Sequence, residues 1–304
     1  MGFALRRPLD SFGSILGQDI KLASMRAMSE AIAPTPAAAI SPSALGTRRW
    51  MRAVHAVARD TLIEAFRGRW LWMTILGALG VAATATFVQA LALAEQRNIG
   101  LGFAAPLARL VAVIIVALST ISSAAREQSD GSLLLALAAP MSRVGWLIGK
   151  TMALFFLAVL TATILVLPVI EYVPAPDATF AWFVSLTMEL AVVASVSLAI
   201  GIAFTRIPPA VCALLAFYAT ARDLHLFQLL AMRADSYTQF GALAALTQAA
   251  TAIFPRLDLF TRTDWLLDAA PRIATIMLLA LQSSTYCLLA LTAAALDMRR
   301  KRFD

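Results

Sequence analysis

Glu189 is the one acidic residue well inside a long apolar stretch of this sequence. An ionisable group in such a place either pairs with a cation or serves as a proton or ion site. A second candidate, Gly145-Trp-Leu-Ile-Gly149-Lys150-Thr151, imitates a nucleotide phosphate loop. That motif needs four residues between its glycines and a strand before it; here three separate them, with Pro140 and an apolar span on either side. It reads as a chance match. The sequence holds no Gly-x-Ser-x-Gly elbow, no His-Glu-x-x-His pair and no paired intramembrane aspartates. His55 and His225 lie far apart without ligand-spaced partners and read as interfacial or loop residues. Cys212 and Cys287 both fall in apolar blocks and are expected as buried free thiols, with no disulfide framework. The chain is therefore expected to carry no catalytic residue, no metal set and no cofactor of its own.

What must position Glu189 is a set of membrane helices. Of 304 residues, 60% are hydrophobic and only 14% charged, with mean hydropathy +0.78; soluble domains carry about a quarter charged residues. Six blocks reach the roughly 20 residues that cross a bilayer, at about 70–93, 103–123, 148–170, 181–205, 208–230 and 273–296. The fifth is the weakest, because Arg222, Asp223 and His225 interrupt it. The net charge of +7 does not indicate nucleic acid. Its basic residues sit at the ends of apolar blocks and form no stripe interleaved with aromatics.

Lysine and arginine placement orients the spans. With the N-terminus inside, eighteen of the 25 lie on the inner side and seven elsewhere, which puts both termini in the cytoplasm. Residues 1–47 read as a disordered tail, rich in Ala, Pro and Ser over 31–46. They lack the apolar run of a signal peptide, and Met25, Met28 and Met51 are further possible starts. Residues 48–69 are expected as an amphipathic basic helix on the inner membrane surface. Trp50, Val54, Val57, Ala58, Leu62 and Ala65 recur at three- and four-residue spacing among Arg49, Arg52, Arg59 and Arg67. Residues 70–304 then form the six-span domain. Its external segment, 231–272, includes an apolar piece at 240–254 that is too short for a seventh span and is expected as an interfacial or re-entrant helix. The charges Arg256, Asp258, Arg262, Asp264, Asp268 and Arg272 that follow are expected to pair locally at a solvated surface.

The inner loop at 124–150 is the most informative segment. Arg126 and Glu127 are expected to end the second span in water, and Asp130-Gly131 to make a capping turn. Ser132, Leu133 and the leucines after them predict a short helix, stopped by Pro140. Ser142 and Arg143 follow, and Lys150 marks the entry to the third span. A short, partly apolar helix on the inner side is a docking surface for a partner.

The order Glu127, Gly131-Ser132-Leu133, a leucine run, Pro140-x-Ser142-Arg143 and Gly149-Lys150 resembles the permease subunits of ABC transporters of the type-2 exporter class. It is most similar to permeases that accompany multi-copper enzyme maturation systems. Phe254-Pro-Arg-Leu-Asp-Leu-Phe260 is likewise similar to a Pro-x-Leu-x-x-Phe stretch of those permeases. The resemblance covers about residues 50–300. It implies an all-α exporter subunit of a bacterial inner membrane, with short external helices before the last span. It further implies a homodimer of permeases bound to two ATPase subunits, which hold ATP and Mg. Glu127, Gly131, Ser132, Leu133, Pro140, Ser142, Arg143 and Lys150 would form the contact with the ATPase.

Depth arithmetic gives Glu189 its expected partners. Glu189 precedes Arg206, and Arg109 precedes Arg126, by 17 residues, while Arg222 follows Arg206 by 16; each is roughly 25 Å of helix. If the inner arginines mark one plane, Arg109, Glu189 and Arg222 share a height in the outer half of the membrane, and Glu189 is expected to pair with Arg109 or Arg222. Gly77, Gly80, Ala194, Ala199 and Gly201 offer small-residue faces for close helix contact. The competing readings are a secondary transporter using Glu189 as its ion or proton site, and a membrane-embedded enzyme.

Overall fold

The computed structural model describes residues 47–93, 95–130, 143–173, 175–204, 206–234, 254–267 and 270–300, with backbone alone at 47–49 and 224–234. All of them belong to the unit 47–304. The elements are α1 (Thr47–Arg67), α2 (Trp70–Leu91), α3 (Gln96–Ser129), α4 (Arg143–Ile170), α5 (Pro176–Ala203), α6 (Ile207–Ala234), a 3-10 turn (Leu257–Leu259), a short α7 (Asp264–Leu267) and α8 (Ile273–Arg300). No strand occurs among the described residues. Helices are what such apolar sequence must form in lipid, because they satisfy every backbone N–H and C=O internally.

Five of these helices, α2, α3, α4, α5 and α8, are long and apolar enough to cross a membrane, and the chain is a multi-pass membrane protein. The 28-residue α6 is not one of the five. Several helices outrun the apolar blocks that announce them; α3 runs for 34 residues instead of the expected 103–123. Hydropathy marks only the part of a helix that needs lipid. The hydrogen-bonded ladder continues through polar flanks such as Gln96-Arg-Asn98 and Arg126-Glu-Gln128. The tail 1–46, the predicted docking helix over 132–139 and most of the apolar piece at 240–254 lie outside the described residues.

The core is a three-helix centre with two outer helices. Trp182, Leu186, Leu190, Ala194 and Leu198 recur every fourth residue along α5 and are all fully buried. This ridge packs α5 against α3, α4 and α8. In the apolar windows of α3, α4 and α5, 50–56% of residues are buried, against 17% in α2 and α8. The outer helices consequently turn Trp72, Leu76, Leu79 and Phe87, and Met277, Leu278, Leu281 and Leu288, away from the bundle. Cys212 shares that fate. It is exposed on α6, while Cys287 is buried, which corrects the expectation of two buried thiols. An apolar block places a residue in a span without saying which side of the helix meets the bundle.

Small residues set the closest helix approaches. A Cβ on Gly77 would stand 2.6 Å from Val111 Cγ1 of α3, and one on Gly201 2.9 Å from Ala124 Cβ. Gly80 faces open space and makes no such contact. The closest approach to another helix's backbone was not legible in the sequence: α1 lies on α4 so that a Cβ on Gly149 would meet the Val54 carbonyl oxygen at 2.7 Å and Val57 Cβ at 3.0 Å. Backbone cannot retreat as a side-chain tip can. Gly149→Ala is therefore expected to push α1 off α4 at a cost of about 1–3 kcal/mol. A lowered melting temperature in detergent, with faster proteolysis at the Gly68 junction, checks this. In α1 itself, Val54 and Thr61 are buried while Arg52, Arg59 and Arg67 are exposed.

Candidate functional site

Two polar clusters interrupt the apolar bundle. The first lies where α3 ends and α4 begins, at the stem of residues 131–142. Lys150 is fully buried, and a buried cation persists only when paired. Its Nζ donates to the Glu127 carboxylate and, at 3.0 Å, to Ser123 Oγ, and stands 5.7 Å from the centre of the Trp146 ring. Ser123 Oγ in turn donates to Glu64 of α1 at 3.4 Å, and Glu64 pairs with Arg126 at 3.0 Å. Gln128 Nε2 donates to the Gly201 carbonyl of α5 at 2.6 Å, and Arg143 donates to the Met298 carbonyl of α8. The network joins α1, α3 and α4, and two separate hydrogen bonds from Gln128 and Arg143 add α5 and α8 around the stem of 131–142. Asp130 ends α3 in a turn, its N–H bonded to the Arg126 carbonyl at 2.9 Å.

Glu127 was expected in water beside Arg126, and the structure corrects this. Arg126 is exposed, but Glu127 is turned inward onto Lys150. Glu127 lies four residues, about one turn, after buried Ser123, while its neighbour Arg126 follows Ser122 by the same count on a more exposed face. Of the predicted ATPase-contact residues, Gly131, Ser132, Leu133, Pro140 and Ser142 lie outside the described residues.

The second cluster surrounds Glu189, which is fully buried in α5. Its Oε1 accepts from the Tyr218 hydroxyl of α6 at 2.9 Å and its Oε2 from Thr261 Oγ1 at 2.7 Å. Thr261 N–H donates to Ser185 Oγ, one turn before Glu189, at 3.0 Å. Thr261 has φ +47°, a left-handed conformation that is costly for a β-branched residue. Its backbone and side-chain hydrogen bonds to Ser185 and Glu189 hold it there. Arg222 donates to the carbonyls of Leu257 and, at 3.1 Å, of Phe260. Leu257 and Phe260, the Leu and Phe of Pro255-x-Leu257-x-x-Phe260, are fully buried and form a small apolar cluster with Ala221 and Leu279. The segment at 254–261 is thereby fastened to α5, α6 and α8 by apolar anchors, an arginine and a carboxylate.

The expected ion pair is absent: among the described residues no salt bridge joins Glu189 to Arg109 or Arg222. Glu189 and Arg222 do share a neighbourhood, since Thr261 donates to Glu189 and its neighbour Phe260 accepts from Arg222. Hydroxyls took the carboxylate, and the turn at Leu257–Phe260 offered Arg222 two carbonyls, of which that of Leu257 also accepts the Phe260 N–H at 3.2 Å. Arg109 is partly buried, with its Nε lacking an acceptor among the described residues. The surface charges pair as expected where described, Arg256 with Asp258 at 3.4 Å and Arg262 with Asp264 at 3.3 Å.

Sequence reasoning missed Tyr218, Thr261 and Ser185 at one cluster and Glu64 and Ser123 at the other. Spacing could have found two of them: Ser185 stands four residues before Glu189, and Tyr218 four before Arg222, each pair on one helix face. Comparison with protein-family models and with curated proteins returns no match.

Proposed function

We propose that this chain is the permease subunit of an ATP-binding-cassette exporter. The observation that carries the reading is the Glu127–Lys150 pair at the stem of residues 131–142. The first and last residues of the resembling loop motif meet there, and their network joins α1, α3 and α4. In this reading α6 is a sixth span, α1 lies on the inner membrane surface, and both termini are cytoplasmic in a bacterial inner membrane. Two copies pair through lipid-facing apolar surface and bind two ATPase subunits that supply ATP and Mg. Lys150 is too buried to touch a partner; with Glu127 it makes a stiff base, while Ser132 and Leu133 present the contact. Closure of the ATPases pushes the 131–142 loop, and the stem passes that push into α3, α4 and α5. ATP chemistry then selects between two packings of the spans.

In a cysteine-free background, Ser132→Cys is expected to crosslink to an ATP-binding protein in native membranes, and Thr86→Cys, exposed on α2, is not. Equal crosslinking at both positions, or none at Ser132, contradicts the reading. One observation favours a second reading, a secondary transporter: Glu189 is a fully buried carboxylate without an ion pair among the described residues. Transport that follows a proton gradient without ATP would select it.

A further inference from the structure

Beneath α1, a cavity of about 590 Å³ opens between α1, α2, α3 and α4. That volume falls in the range of sites that bury most of a drug-sized ligand. Its two sides differ in chemistry. Met73, Leu154 and Leu157 make an apolar wall, while Arg69, Arg126 and Glu64 give the rim a net positive charge. Arg126 is engaged by Glu64 at 3.0 Å, whereas Arg69 makes no ion pair among the described residues. Trp70 also lines the cavity and is 4% exposed. Ser119 and Ser122 direct their protons to the carbonyls of Val116 and Ser119, so their lone pairs remain for a polar guest.

A cation and free hydroxyl lone pairs beside an apolar wall, in a chain that lies in a membrane, match one class of ligand. We propose that this cavity binds a membrane lipid with an anionic headgroup, its phosphate at Arg69 and the start of one acyl chain along Met73 and Leu157. The inference rests on the membrane location of the chain and not on the transport reading.

The test uses the full chain purified in mild detergent, with fluorescent phosphatidylglycerol as the probe. Phosphatidylcholine and inorganic phosphate serve as competitors. Phosphatidylglycerol is expected to bind in preference to phosphatidylcholine, with phosphate failing to displace it. Arg69→Gln removes a charge-assisted hydrogen bond and is expected to weaken binding about tenfold. Arg67→Gln makes the same charge change on an exposed α1 position and is expected to alter binding by about twofold at most in physiological salt. Ser122→Leu, which fills the cavity, should abolish binding; if it lowers the melting temperature, the two arginine variants decide alone. Equal effects of Arg69→Gln and Arg67→Gln overturn the site, as does equal affinity for the two lipids. Displacement by phosphate alone also overturns it, because the ligand is then a free anion. None of these outcomes touches the ATPase, so failure here leaves the permease reading standing.

Discussion

Replacing Lys150 by methionine is expected to destabilise the protein by roughly 3 kcal/mol, and replacing Glu127 by glutamine by more. Removing one partner of a buried ion pair costs about 3–5 kcal/mol, because the other charge remains desolvated. Lys150 keeps no exposed side-chain surface, while Glu127 keeps 20%. Glu127 can therefore recover some hydration after Lys150→Met. Lys150 has no such escape after Glu127→Gln and retains Ser123 Oγ and the Trp146 ring as its neighbours. The double variant, Glu127→Gln with Lys150→Met, buries no net charge and should recover most of the loss. Equilibrium unfolding in mixed micelles measures all three. Single variants as stable as the parent would mean that the pair does not hold the stem. If the stem transmits force, the double variant should remain folded and still couple poorly, since a neutral pair restores packing without restoring a charged clasp.

Glu189→Ala is expected to cost roughly 3–5 kcal/mol and to release the 254–261 segment. The change strips the acceptor from two hydroxyls, Tyr218 and Thr261, each buried group worth about 1–3 kcal/mol when unmet. It also opens a cavity beside Leu186 and Leu190. Thr261 then loses one of the contacts that hold it at positive φ. Glu189→Gln keeps one oxygen acceptor and should cost about 1–2 kcal/mol. Hydrogen–deuterium exchange over residues 254–267 reads the release directly, with faster exchange in Glu189→Ala and a smaller rise in Glu189→Gln. Thr261→Val should resemble Glu189→Gln, because it removes one hydrogen bond and keeps the strained backbone. Unchanged exchange in Glu189→Ala would show that Arg222 and the buried Leu257 and Phe260 suffice to dock the segment.

Spans are legible in sequence because each answers to its own composition. The apolar blocks at 70–93, 148–170 and 273–296 became α2, α4 and α8 with ends displaced by a few residues or a turn. The nearness of Glu189 and Arg222 was legible for the same reason, since helical rise is fixed. What those groups touch was not. Partner choice depends on rotation about each helix axis and on Thr261, which reaches Glu189 from 72 residues away in a segment with no helical period. The Glu127–Lys150 contact spans 23 residues across a loop. Counting placed both residues near one membrane face, but only the packing of α3 on α4 turns them toward each other. Gly149 was read as a motif letter; its physical task is to let the Val54 carbonyl approach.

The central claim is that a separate ATPase docks on the loop whose stem holds Glu127 and Lys150. It is tested most directly by capturing tagged protein from its host's membranes in mild detergent and assaying ATP hydrolysis on the eluate. The account predicts an ATP-binding subunit in the eluate with hydrolysis activity. It further predicts the loss of both with Arg143→Ala, at unchanged amounts of the tagged chain. A chain that elutes alone and inert, from membranes where it is folded and abundant, contradicts the account.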